Sequence, residues 1–311
     1  MKRTYVSGHL GMVGSAIVRE LNKKKNKRAV ITATRNELDL TNQGDVNNFI
    51  KQVMPDEIIV AAAKVGGIHA NTTYPAEFIY DNLAIAINLI HSAYKNKIKK
   101  LLYLGSSCIY PREASQPINE KELLSGPLEK TNEWYAISKI AGIKLCQSFR
   151  KQYNCDFISA MPTNLYGIKD NYHLENAHVI PAIMHRAFLA KKNNEQKLTI
   201  WGTGNATREF LFVDDLAEGC IFLLNEYSEQ SPINLGTGVE VSIKDLAVKI
   251  CEIVGFNGEL VFDTSKPDGT PRKVLDVTKI NELGWQSKTN LENGLKISFE
   301  WFLNNYNNIR K

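Results

Sequence analysis

Gly105-Ser106-Ser107-Cys108-Ile109-Tyr110-Pro111, followed downstream by Tyr135-Ala136-Ile137-Ser138-Lys139, brings a hydroxyl, a thiol, a phenol and an ammonium into one region, directly after an apolar run. Tyr135 and Lys139 are four residues apart, so on a helix they stand one above the other on the same face. A free phenol, with a pKa of ~10, is too weak an acid to protonate a forming alkoxide efficiently near neutrality. An adjacent ammonium stabilises the phenolate left behind and is expected to lower that pKa, each unit being worth about 1.4 kcal/mol. Ser106, at a strand end, can hydrogen-bond the same carbonyl oxygen. The three groups are the parts of a carbonyl-reducing site. A Tyr-x-x-x-Lys pair alone is common on surface helices, so its weight rests on the elements around it.

Those elements begin at the N-terminus. Residues 3–7 read as a short buried strand, followed by Gly8-His9-Leu10-Gly11-Met12-Val13-Gly14 and a helical pattern with Ile17, Val18 and Leu21 on one face. Gly8 suits a tight turn, Gly11 lets the backbone approach a pyrophosphate, and Gly14 lets helix and strand pack closely. A second strand over 29–34 ends at Arg35. An NAD site usually carries an acidic residue there; the planar fork of arginine suits a 2′-phosphate instead, which favours NADP(H). Asp39-Leu40 follows and can present a carboxylate to an adenine amino group.

The alternation continues with a helix over 45–54, a strand over 57–63, a helix over 80–95 and a strand over 101–105. A helix over 135–151 and a strand over 156–161 complete it. Repeated strand–helix–strand units imply an α/β fold, a Rossmann-type doubly wound parallel sheet with helices on both faces. Ligands in such sheets bind beyond the carboxyl ends of the strands, where Ser106 and Cys108 fall. Residues 168–207 read as loop-rich, and 209–224 return to a strand-then-helix pattern that rejoins the first unit. The expected organisation is a dinucleotide-binding domain, 1–167 plus about 208–230. About 168–207 plus 231–311 would form a smaller C-terminal α/β substrate lobe.

With 311 residues and 43% hydrophobic content the chain can bury a large core, and a net charge of +5 calls for no nucleic-acid partner. Lys23-Lys24-Lys25-Asn26-Lys27-Arg28 lies between a helical and a strand pattern and reads as a solvated loop. Five cysteines without a C-x-x-C pair suggest neither a zinc site nor a disulfide framework, and point to a reducing compartment. No apolar run reaches the ~18 residues of a membrane span, and no leader pattern precedes the first strand. A cytoplasmic protein without membrane partners is expected.

At this point the chain resembles the extended short-chain dehydrogenase/reductases, and within them the branch of GDP-4-keto-6-deoxymannose epimerase-reductases. The similar stretches run nearly end to end: Gly8–Gly14, Ala62-Ala63-Lys64-Val65-Gly66-Gly67, Gly105–Pro111, Tyr135–Gly142, Pro162-Thr163-Asn164-Leu165-Tyr166-Gly167, His178–Pro181, Arg208-Glu209-Phe210 and Asp268–Lys273. The resemblance implies NADPH-dependent reduction of the C4 ketone of a GDP-4-keto sugar, coupled to C3/C5 epimerisation. Cys108 and His178 would then exchange protons, and Ser106, Tyr135 and Lys139 would serve the ketone. It implies cofactor contacts at Met12, Val13, Ala63, Leu104, Pro162, Asn164, Leu165 and His178, and substrate contacts at Ser107, Arg186, Trp201, Arg208, Asp268 and Lys273. A homodimer through helices over 82–95 and 135–151 is also implied.

The chain departs from the family's usual residues at Leu10, His69, Ala177 and Phe212, which bears on the sugar more than on the chemistry. A C4-reductase of a GDP-4-keto-heptose, with epimerisation done elsewhere, would use the same machinery. Two further readings are a cofactor-recycling sugar-nucleotide epimerase or dehydratase, and a non-catalytic dinucleotide sensor.

Overall fold

The computed structural model describes residues 1–174, 176–266 and 268–309. Its large sheet is built from β1 (Lys2–Ser7), β2 (Arg28–Ile31), β3 (Glu57–Val60), β4 (Lys100–Leu104) and β5 (Asp156–Pro162), with Ile233–Leu235 at the far edge. The strand order is β2-β1-β3-β4-β5-(Ile233–Leu235), and every pairing is parallel. Ile58, Ile59 and Val60 on β3 and Leu101 and Leu102 on β4 are wholly buried, as strands covered on both faces require.

Helices close both faces. α1 (Met12–Leu21) packs Ile17 and Leu21 against β1 and β3 on one side. On the other lie α2 (Gln43–Val53), whose N-terminus is capped by the Asn42 side chain, then the short α3 (Ile68–Thr73), the long α4 (Pro75–Lys95) and α5 (Glu133–Tyr153). α4 starts five residues before the helical pattern reads from the sequence. Pro75 opens it, at a position where the missing N–H has no intrahelical acceptor to lose.

Residues 168–207 are less loop-like than the sequence suggests. They contain α6 (Val179–Lys192) and the strand Lys197–Trp201. Pro181 occupies the first turn of α6, whose N–H groups are unpaired within the helix in any case. The strand Thr207–Phe212 does not enter the large sheet. It pairs with Asn164–Tyr166, Glu240–Ser242 and Arg272–Lys273 in a second sheet. α7 (Val213–Glu226), directly after it, turns back and buries Leu216, Ala217 and Cys220 in the cluster that holds Ile17 and Leu21 of α1. A third buried cluster joins α6 to the helices Ile243–Val254 and Leu291–Asn305 through Ile180, Met184, Ile250 and Phe302. The carboxyl ends of β1, β4 and β5 and the second sheet therefore face one another across a cleft.

Candidate active site

The glycine turn after β1 is fixed by backbone contact. Gly8 has φ +73, and a Cβ there would lie 2.8 Å from Ala62 Cα. A Cβ on Gly14 would lie 2.2 Å from Gly8 O, so α1 can rest on the turn only with glycine at that position. Gly11 N donates to Gly8 O at 3.0 Å, and no side chain caps the N–H groups that Met12 and Val13 begin. This cradle, which side chains would fill, fits a dinucleotide diphosphate. Arg35 is exposed beyond the end of β2, an open cation that fits a 2′-phosphate. Asp39 spends its Oδ1 on Thr41 N and Oγ1, and Leu40 O accepts from Asn88 Nδ2.

The floor of the same cleft is held from below. Asn82, buried on α4, accepts from Lys64 N and donates to Lys64 O, which fixes the Ala62-Ala63 backbone beside Gly8. Pro162 closes β5, Leu165 pairs with Leu211, and Asn164 Nδ2 donates to Glu209 O. The residue types around Asn82 gave no sign of this clamp, because its partners are backbone groups 18 positions away.

Ser106 follows β4 in an extended conformation, and its Oγ accepts from Cys108 N at 3.2 Å. Ser107 beside it is buried. Tyr135 and Lys139 lie one turn apart near the start of α5, and the Ser106 hydroxyl is near enough to the Tyr135 phenol to favour its ionised form. Lys139 Nζ donates to Leu104 O at 2.8 Å and sits 5.8 Å from the Tyr135 ring centroid. Burial pulls Lys139 down to about 8. Tyr135 moves opposite to the sequence expectation. Burial raises it and the neighbouring Cys108 adds to this, while only the Ser106 hydrogen bond lowers it. The ammonium is turned to the Leu104 carbonyl, so desolvation of the phenolate wins.

Lys273 is the common neighbour of the remaining groups. Its Nζ donates to Cys108 Sγ at 3.4 Å. His178 immediately precedes α6 and keeps an exposed surface. Burial lowers its imidazole, and the Lys273 charge lowers it further. Arg208 donates to Thr207 O and Asp268 O; burial lowers it, offset by Asp268, Cys108 and Glu129. Asp268 in turn accepts from Thr203 N and Oγ1. Arg186 and Trp201 form a second cluster, with the guanidinium 5.8 Å from the ring of a tryptophan that is 50% exposed. Ser106, Cys108, Tyr135, Lys139, His178, Arg208 and Lys273 are thus drawn into one neighbourhood from five separate segments. A recess there, lined by Ser107, Cys108 and Lys273, is also lined by Arg112, Glu129 and Asn132, which the sequence reading did not single out.

Residues 4–236 match the model of the NAD dependent epimerase/dehydratase family. The chain belongs to that family. Among its relatives, the GDP-L-fucose synthase of Sinorhizobium fredii is 54% identical over 304 residues, covering 98% of this chain and 96% of that protein. Among solved structures, a GDP-L-fucose synthetase from Naegleria fowleri bound to NADP is 29% identical with a TM-score of 0.93, covering 100% of this chain and 96% of that one. MlghC, a GDP-mannoheptose C4 reductase from Campylobacter jejuni with NADP bound, is 37% identical with a TM-score of 0.88, covering 97% and 98%. The resemblance drawn from the motifs is therefore borne out for the family, and the expected Rossmann-type sheet for the fold.

Proposed function

We propose that this chain is an NADPH-dependent enzyme that converts GDP-4-keto-6-deoxymannose to GDP-L-fucose by C3/C5 epimerisation and C4 reduction. The observation that carries the reading is the shared neighbourhood of Lys273, Cys108 and His178 beside the Ser106–Tyr135 pair. A thiol and an imidazole flanking the acid are the two proton-transfer groups that epimerisation needs in addition to reduction. Sequence identity is also higher to the S. fredii fucose synthase than to the mannoheptose reductase.

The Gly8–Gly14 cradle and Arg35 would hold NADPH, which supplies the hydride when bound. Ser106 and Tyr135 hydrogen-bond the C4 oxygen, and this polarisation acidifies the protons on both C3 and C5. Cys108 and His178 then remove and return those protons from opposite faces of the ring. The Lys273 ammonium meets negative charge developing on the sulfur. His178, held below the ordinary histidine value, stays available as a neutral base at pH 7. Tyr135, raised by burial, keeps its proton until the C4 oxygen needs it, and Lys139 stabilises the phenolate that results. Arg208 and Asp268 meet the diphosphate side of the substrate, and Arg186 and Trp201 the nucleotide. Five free thiols suit a reducing cytoplasm, and α4 and α5 supply the faces of a homodimer.

The test is product analysis in D2O with NADPH and GDP-4-keto-6-deoxymannose. Stoichiometric NADPH oxidation with deuterium at C3 and C5 is expected, and Cys108→Ser should abolish the incorporation. Reduction without incorporation would leave a C4-reductase only, and no net NADPH consumption would overturn the reading.

A further inference from the structure

Asn132 and Glu129, which line the recess beside Cys108 and Lys273, carry acceptors that the reaction just described leaves unused. Asn132 immediately precedes α5, where an asparagine side chain ordinarily accepts from a backbone N–H two or three residues on. Here it makes no cap, and its buried Oδ1 has no hydrogen-bond partner among the described protein groups. A cap stabilises a helix and an orphaned buried acceptor destabilises a fold. Asn132 forgoes the first and bears the second, at the mouth of the helix that presents Tyr135.

Glu129 shows the same division. Its Oε1 accepts from Thr131 N at 3.2 Å and Thr131 Oγ1 at 3.3 Å, which holds the carboxylate in place. Its buried Oε2 has no hydrogen-bond partner among the described groups, with Arg112 Nη1 3.6 Å away. One oxygen is anchored by Thr131, and the other is buried against the Arg112 guanidinium, ion-paired but without a hydrogen bond. Two fixed acceptors, three residues apart in one recess, call for a ligand that brings donors. A carboxylate repels a phosphate, whereas adjacent hydroxyls on a sugar ring supply two donors and no charge.

Resting on the GDP-4-keto-sugar reading above, we propose that Glu129 and Asn132 receive the C2 and C3 hydroxyls of the sugar and determine which deoxysugars are accepted. A site built to bond a hydroxyl rejects the analogue lacking it, because its own buried acceptors are then left unpaired.

The experiment measures kcat/KM for GDP-4-keto-6-deoxymannose and for its 2-deoxy and 3-deoxy analogues. An analogue that is not turned over is scored by its inhibition constant. The variants are Asn132→Ala, Glu129→Ala and the conservative Glu129→Gln. The parent substrate is expected to lose about 10- to 100-fold in each alanine variant. The analogue that lacks the partner hydroxyl should change less than about threefold, and Glu129→Gln, which keeps a carbonyl acceptor, should recover most of the loss. The Tm of Asn132→Ala should stay level or rise, since an orphaned acceptor has been removed. Equal losses on all three sugars, or a lowered Tm for Asn132→Ala, would show a structural role and overturn the subsite. A wild type inactive on the parent sugar would instead overturn the functional reading itself.

Discussion

Burial moves Tyr135 up and Lys139 down to about 8, so near neutrality the phenol keeps its proton while the lysine lies close to its own titration. Two outcomes follow at the scale of single residues. Tyr135→Phe should lower NADPH oxidation by about 10²- to 10⁴-fold, with circular dichroism unchanged. For Lys139 the sign is that of a base whose folded pKa lies below its unfolded value of ~10.4. The folded protein sheds the proton first, so this group adds stability as pH rises from about 8 toward ~10. Urea unfolding at several pH values should show wild type gaining on Lys139→Met across that window. The same titration removes the ammonium that supports the phenolate, so kcat/KM should fall as pH rises through about 8. A flat profile in both measurements would place the Lys139 titration outside the range that burial implies.

At the scale of elements, the site depends on how closely α5 lies on β4. Gly142 faces the Tyr103 ring, and a Cβ there would stand 2.3 Å from Tyr103 Cζ, inside a side chain that is itself buried. This approach brings Lys139 to the Leu104 carbonyl and Tyr135 to Ser106. Gly142→Ala should cost about 1–3 kcal/mol by overpacking, a Tm loss of several degrees, and should lower kcat more than the KM for NADPH. An unchanged Tm and kcat would mean that helix and strand have slack at this contact. The glycine in the Tyr-Ala-Ile-Ser-Lys-Ile-Ala-Gly stretch was legible as part of a motif. Its physical reason was not, because Tyr103 lies on another element.

At the scale of the molecule, the two halves meet through contacts distant in sequence. Lys273 reaches Cys108 across 165 positions, and Glu209 receives Thr237 N, Gly238 N and Leu275 N beneath the second sheet. Among the described residues no helix is long and apolar enough to cross a membrane. Tyr80, Ile87 and Tyr94 recur every seven residues along α4, the first two 68% and 45% exposed, and Tyr94 stacks on Tyr153 of α5. A stripe of this kind suits helix packing between two copies. The proposed homodimer predicts twice the chain mass by light scattering, and Ile87→Glu should shift it toward the monomer.

What the sequence determined by itself is what short-range periodicity can encode. The parallel α/β alternation, the glycine turn between β1 and α1, the strand-end serine and the Tyr135–Lys139 spacing all lie within one or two adjacent elements. Their geometry follows from residue period and backbone freedom. The tertiary structure alone decided that Lys273 stands against Cys108, that the Lys273 charge lowers His178 while Asp268 and Cys108 act on Arg208, and that burial raises Tyr135. It also decided that Asn132 leaves its helix uncapped. Each of these depends on which desolvated groups meet across long sequence separations, and on the net of opposing terms at the meeting point, neither of which any local pattern carries.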